Sequence, residues 1–175
     1  AETDFGSCEF PLTQRGRKQA ELTKSFLQFH YPKFDVHYVS YYNRSKETMS
    51  ILCPSAKVYE DPRLAEAQRG IYHTMTKKEV EERFPEESAR KRREGLYHYR
   101  PIGGENWPDV ELRIHSFLGT LSRDCEGQKV LIVVHNNWLN LFHRLIHHYS
   151  IEEALGKYNR GGFENASVTG YRCDV

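Results

Sequence analysis

The sequence predicts an α/β domain, a three-layer sandwich around a mainly parallel sheet. Three observations carry that prediction. Short β-branched and aromatic runs alternate with segments of helical periodicity along the whole chain, the pattern of βαβ units. Lys129 to Val134 is a continuous apolar run, as in a strand covered on both faces. Trp107, Val110, Ile114, Phe117, Leu118 and Leu121 recur at the spacing of one helix face. With 175 residues, the chain has the length of a single domain, and neither an internal repeat nor a Gly/Ser linker divides it.

Taken in order, Pro11-Leu12-Thr13 opens the first helix, with Thr13 as N-cap and Ala20, Phe26, Leu27 and Phe29 on its later turns. Tyr31-Pro32 ends it. Val36 to Tyr41 reads as a strand, Arg44 to Leu52 as a helix stopping before Pro54, and Lys57 to Tyr59 as a short strand. Asp61 to Gly104 is less regular. Within it, Thr76 and Glu79 form a capping box for a short helix closed by Pro85. The Trp107–Leu121 helix and the Lys129–Val134 strand follow. Trp138 to Tyr149 reads as a helix, Ser150 and Glu153 as another capping box, and Ala166 to Cys173 as the last strand.

Composition excludes several classes of function. Lys and Arg number 25 and Asp and Glu 24, a formal net charge of +1, so the basic excess of a general nucleic-acid binder is missing. Hydrophobic residues at 38% and charged residues at 28% suit a soluble globular core. No apolar run approaches the roughly 20 residues of a membrane helix. Cys8, Cys53, Cys125 and Cys173 lie far apart without a CxxC pair, which fits a reduced compartment. Ala1-Glu2-Thr3-Asp4 has neither the basic nor the apolar region of a signal peptide, so a cytoplasmic location is expected. The basic run Arg90 to Arg93 sits among Glu86, Glu87 and Glu94 and reads as a solvated helix face. His143, His147 and His148 lack a carboxylate or cysteine to complete a metal set.

Three features could carry chemistry. Arg44 stands just past a strand end at a helix start, where free N–H groups and a guanidinium fork attract anions; a solvated first-turn arginine is the plainer reading. His135, with Asn136 and Asn137, ends the apolar strand, where α/β sheets bind ligands; a histidine capping the next helix reads equally well. Asp61 to Gly70 and Gly103 to Asn106 hold Glu66 and Glu105; either segment could be ordinary loop and cap chemistry.

Together and in order, these segments resemble the histidine phosphatase family, also called the phosphoglycerate-mutase-like superfamily. Pro11 to Ala20 resembles its PLTxRGxxQA segment. Ser40 to Thr48 resembles SxxxRxxxT, with Arg44 and Thr48 in the matching places. Asp61 to Gly70 resembles DxRLxExxxG, Gly103 to Arg113 resembles GGES…DVxxR, Val133 to His135 resembles the VxHG strand end, and Asn165 to Val168 resembles NxSV. The resemblance spans essentially the whole chain as one domain, 1–175, with 70–104 as a cap over the pocket. Tyr97 to Pro101 before the Gly-Gly-Glu is most similar to the broad-range acid phosphatase and fructose-bisphosphatase-like branches.

The family's N-terminal strand ends in Arg-His-Gly, and that histidine is its nucleophile. Ala1-Glu2-Thr3 resembles the residues just after the Arg-His pair, so the working protein is expected to carry roughly ten further residues before Ala1, about one strand. Asn136 stands where the family has glycine, and Gly6 or Ser7 where many members have asparagine. For the complete site, the resemblance implies hydrolysis of a small phosphomonoester through a phosphohistidine. Arg44 and a cationic His135 would clamp the phosphoryl oxygens. Asn136, Thr3 and Glu105 would border the substrate, and Glu66, with a raised pKa, would be the general acid; Glu105 is the second candidate for that role. No metal or cofactor is implied. The expected partner is a small phosphorylated substrate, without nucleic acid or membrane, and a homodimer is left open. Two alternatives stand: a cofactor-dependent phosphoglycerate mutase, which needs a closed pocket, and an inactive pseudophosphatase that binds phosphorylated ligands.

Overall fold

The structure is a computed structural model and describes residues 8–172. Its sheet has three parallel strands, β1 (Val36–Val39), β2 (Val58–Glu60) and β3 (Val130–Val133), in the order β2-β1-β3. Val39 aligns with Glu60 on one side and Val133 on the other. All three strands therefore end at one edge, and each hands its next residues to that edge.

Seven helices surround the sheet among the described residues. α1 (Gln14–His30) and α2 (Asn43–Leu52) pack on each other, and α2 lies against β1 and β3. α5 (Trp107–Asp124) and α6 (Asn136–His147) cover the other face, backed by α4 (Pro85–His98) and α7 (Ile151–Asn159). The core between α5, α6 and the sheet holds Leu64, Val110, Ile114, Phe117 and Leu141, all fully buried, with Trp138 stacked on Phe142 at 5.1 Å. Helix starts follow the sequence. Thr13 caps α1 by accepting from the Gly16 N–H, and Ser150 and Glu153 form the capping box of α7. Asn106 and Asp109 form one for α5. No helix among the described residues is long and apolar enough to cross a membrane.

Pro85 stops α3 (Lys77–Arg83) and is also the first residue of α4, where its missing N–H is harmless. Phe26 and Phe29 lie on the later turns of α1 and face solvent, whereas Ala20 and Leu27 are buried. Two expectations are corrected. β3 is only half-buried along its length, because among the described residues it pairs on one side alone. Residues 166–172 form no strand; Cys173 lies outside the described residues. Ala166 takes a left-handed conformation (φ +58°), its carbonyl accepts from the Thr23 hydroxyl at 2.6 Å, and Tyr171 packs on Phe142. Side chains of α1 and α6 thus hold this segment, and a strand exists only through a ladder.

The segments around Gln68 and Glu105 cross backbone to backbone. The Glu105 N–H donates to the Gln68 carbonyl at 2.9 Å and the Ile71 N–H to the Ile102 carbonyl at 3.1 Å. A Cβ on Gly70 (φ +56°) would run into the Ile102 carbonyl oxygen, and one on Gly104 would lie 2.5 Å from the Gln68 oxygen. That crossing requires the glycines at 70 and 104. Gly70→Ala should lower the unfolding free energy by about 1–3 kcal/mol from backbone conformation alone, with the clash in addition. Gly119→Ala, in α5 where a Cβ meets nothing within 4 Å, should hold or raise stability. Urea midpoints of the two variants are the comparison, and equal midpoints would contradict the crossing.

Candidate active site

Each strand delivers one polar group to the common edge. β1 leads through Ser40 to Arg44 in the first turn of α2, β2 leads through the Pro62–Leu64 turn to Glu66, and β3 leads to His135, the N-cap of α6. The structure brings Arg44 and His135 into contact. Nη2 of Arg44 lies 3.2 Å from Nδ1 of His135, and Nε2 lies 2.7 Å from Oγ of Ser40, with Ser45 Oγ at 3.4 Å. A guanidinium only donates, so Nδ1 accepts. The proton is then on Nε2, and Nε2–H donates to Ser40. His135 and Ser40 are buried, at 8% and 0% exposure.

Burial, then the charges of Arg44 and Arg113, hold the His135 pKa well below the usual histidine range. The sequence reading has His135 act as a cation. In this arrangement the ring is neutral, because its Nδ1 faces the Arg44 guanidinium. Burial also lowers the Arg44 pKa, opposed by Glu66, Tyr42 and Cys8. The Arg44 guanidinium carbon sits 4.4 Å over the Tyr42 ring.

Glu66 accepts from the Ala67 N–H at 2.9 Å and from the Asn137 N–H, in the first turn of α6, at 3.2 Å. Burial raises its pKa, and those N–H bonds with Arg44 and Arg113 oppose the rise. Glu105 is placed differently. Its carboxylate takes both arms of Arg113, at 2.9 and 3.0 Å, and accepts from the Gln68 N–H at 3.0 Å. Arg113 also donates to the Arg63 carbonyl at 2.7 Å and to the Glu66 carbonyl at 3.3 Å. Glu105 thus holds the backbone that carries Glu66. The Asn136 amide oxygen accepts from the Phe163 N–H at 2.9 Å, tying the end of α7 to the start of α6. Thr3, and with it Gly6 and Ser7, lies outside the described residues.

Sequence reasoning missed Ser40 as the partner of Nε2, and Tyr42 and Gln68 as neighbours of the pair. Gln68 Nε2 donates to both the Tyr41 and Tyr42 hydroxyls, at 3.1 and 3.2 Å. Ser40 was legible as the first residue of a matched segment; Gln68 left no signal. Thr48, also in that segment, bonds back to the Arg44 carbonyl at 2.8 Å and stays within the helix. Among the described residues no three His, Cys, Asp or Glu side chains cluster in a metal-binding arrangement. His143 meets the Tyr171 hydroxyl at 2.8 Å through Nδ1 and Lys157 at 3.2 Å through Nε2.

The neutral His135 gives a pH dependence of defined sign. Unfolded, the ring titrates near 6.5; folded, well below it. Unfolding in that window takes up a proton, so this contribution to stability is complete above about pH 6.5 and is lost as pH falls below it. The raised Glu66 pKa acts with the opposite sign, so the comparison is between variants. His135→Gln should flatten the stability–pH slope between pH 6.5 and 5 by up to about 1.4 kcal/mol per pH unit, read from urea unfolding at each pH. An unchanged slope would mean that His135 is protonated in the fold.

Comparisons with known proteins identify the family. The model of the histidine phosphatase superfamily (branch 1) matches residues 2–174. A 2,3-bisphosphoglycerate-dependent phosphoglycerate mutase 2 from Gloeobacter violaceus is 28% identical over 155 residues, 85% of this chain and 69% of that protein. The 6-phosphofructo-2-kinase/fructose-2,6-bisphosphatase of Gallus gallus is 30% identical over 124 residues, 71% of this chain but 25% of that protein. Among solved structures, the alpha-ribazole phosphatase from Shigella flexneri superposes with a TM-score of 0.78 at 23% identity, covering 87% of this chain and 75% of that one. A mycobacterial glucosyl-3-phosphoglycerate phosphatase in complex with inorganic phosphate gives 0.76 at 22%, covering 95% and 82%. At such identities the structures speak for the fold, and the family match carries the assignment: the chain belongs to the histidine phosphatase superfamily.

Proposed function

We propose that this chain forms most of a phosphatase that hydrolyses a small phosphomonoester through a phosphohistidine. The observation that carries the reading is the buried contact between Arg44 and His135 at the shared strand edge, with Glu66 on the third strand end. An oxyanion entering between Arg44 and His135 takes the guanidinium's donors. It also offers Nδ1 an acceptor, so that His135 gains a proton and donates from both ring nitrogens. Two cations then face the phosphoryl oxygens where negative charge is held through transfer.

The nucleophile in this reading is a histidine on a strand preceding Ala1, seated on the open side of β3. One observation favours that placement: β3 is half-buried and, among the described residues, has one paired side. A neutral nucleophilic imidazole attacks phosphorus. The P–N bond forms, the P–O bond to the leaving group breaks, and the alkoxide takes its proton from Glu66. Water then attacks the phosphohistidine and gives its proton to Glu66, and the P–N bond breaks. The raised Glu66 pKa favours the protonated form that the first step needs. Glu105, held by both arms of Arg113 and by the Gln68 N–H, is kept as an ion-paired carboxylate and acts as a support. Residues 70–104, carrying α3 and α4, are the proposed cap that selects the organic part of the substrate. The mutase likeness of the relatives favours a second reading in which the phosphoryl group is returned to a phosphoglycerate.

The test is hydrolysis by the full-length protein in EDTA of p-nitrophenyl phosphate and of an alkyl phosphate such as glycerol phosphate. His135→Ala and Arg44→Ala should each reduce kcat/KM by about 10²-fold or more on both substrates. Glu66→Gln should cost about 10²- to 10⁴-fold on the alkyl ester and much less on the aryl ester, whose leaving group needs no proton. Turnover that requires 2,3-bisphosphoglycerate and yields an isomer would select the mutase. Phosphate binding without turnover would identify a binding module and end the hydrolase reading.

A further inference from the structure

Tyr42 is buried, at 3% exposure, in the chain between β1 and α2, and its side chain meets Arg44, His135 and Gln68. Its ring lies beneath the Arg44 guanidinium at 4.4 Å and meets the His135 ring edge-on, with centroids 4.7 Å apart. Its hydroxyl accepts from Gln68 Nε2 at 3.2 Å. Gln68 in turn belongs to the segment that carries Glu66, and its backbone is pinned by Glu105. The ring therefore fixes the height of Arg44, one wall of His135 and, through Gln68, the position of the Glu66 loop. Burial pushes the Tyr42 hydroxyl pKa up to about 12, so it stays protonated and serves as a neutral partner.

We propose that Tyr42 is a positioning residue, whose ring holds Arg44 and His135 in the geometry that receives a phosphoryl oxyanion. The proposal rests on the phosphatase reading of this site. The ring face supplies negative electrostatic potential to the Arg44 cation without introducing a carboxylate, which would compete with an incoming anion. The same ring keeps water from one side of His135. The charged and titratable groups around His135 are Arg44 from α2 and Arg113 from α5, with Ser40 and Ser45 as neutral partners. Arg44 is faced by Glu66, Tyr42 and Cys8. Removing the ring should let the Arg44 guanidinium leave its position beside His135 and admit water to the imidazole.

The experiment compares Tyr42→Phe, Tyr42→Leu and Tyr42→Met in the full-length protein. The His135 ring titration is followed by NMR, with its signal assigned by loss in His135→Gln. It is paired with kcat and KM on p-nitrophenyl phosphate and inhibition by inorganic phosphate. Tyr42→Phe keeps the ring and should leave the His135 titration unchanged, with kcat/KM within about threefold of wild type, since Tyr41 still anchors Gln68. Tyr42→Leu and Tyr42→Met should move the His135 titration upward, toward the ordinary histidine range. They should also lower kcat/KM and weaken phosphate inhibition by about tenfold, the size expected of a desolvated cation–π contact. A folded Leu or Met variant with wild-type titration and kcat/KM would overturn the proposal. So would a Phe variant as impaired as Leu, or failure of both non-aromatic variants to fold, which would make Tyr42 a core residue. If the wild-type protein hydrolyses nothing, the phosphatase reading fails by itself, and the His135 titration still decides the role of Tyr42.

Discussion

An arginine and a histidine in buried contact cannot both carry a positive charge without an anion between them. Nη2 of Arg44 stands 3.2 Å from Nδ1 of His135, and the imidazole yields, because guanidinium groups keep their proton under nearly all conditions. The neutral ring then has one donor, and Ser40 receives it. Three levels of structure serve this contact. The parallel register of β1 with β3 sets Val39 beside Val133, so the chain leaves both strands at the same height. α2 and α6 start immediately afterwards, which places Arg44 and His135 at adjacent helix N-termini. The Tyr42 ring fills the space beside the pair.

A second guanidinium organises the opposite side. Arg113 reaches from α5 to the carbonyls of Arg63 and Glu66 and to both oxygens of Glu105. Since Glu105 also accepts from the Gln68 N–H, residues 63–68 are held at three points by one ion pair. The pair is mostly buried, at 15% and 22% side-chain exposure, so removing either partner would strand the other charge. Glu105 is ion-paired with Arg113, whereas among the described residues the hydrogen bonds to Glu66 come from two backbone N–H groups. Their surroundings differ, which is how two carboxylates in one site come to be suited to separate tasks.

Much of this was legible in the residues. The helices announced themselves through caps, as at Thr13, Thr76 and Ser150, and the apolar run before His135 announced β3. Strand-end position left Arg44 and His135 open to plainer readings, and it was the ordered resemblance to the family's segments that singled both out. What escaped depends on contacts distant in sequence. Gln68 reaches Tyr41 and Tyr42 across some 26 residues, and neither the pattern nor the spacing of the chain encodes that meeting. Ala166 to Cys173 reads as a strand through Val168, Thr169 and Tyr171, but propensity alone supplies no ladder partner. Pro85 read as a stop because proline ends helices; the same fixed φ also starts them.

The protonation states of the site point in one direction. Burial lowers the pKa of His135 and raises that of Glu66, so both groups resist charge, one by shedding a proton and the other by keeping it. The charge of Arg44 reinforces the first shift and opposes the second. An oxyanion on Arg44 would offset that charge, and each group would then bind a proton more readily; in the proposed reaction His135 donates to the oxyanion and Glu66 holds the proton for a leaving alkoxide. The same neutralisation thus prepares both groups, although their ordinary pKa values lie on opposite sides of the working range. A site with two exposed groups in these positions would lose that coupling, since water would screen Arg44 from both. In the proposed reaction, burial of His135 against Tyr42 and of Glu66 at the start of α6 lets the two protonations respond to one event.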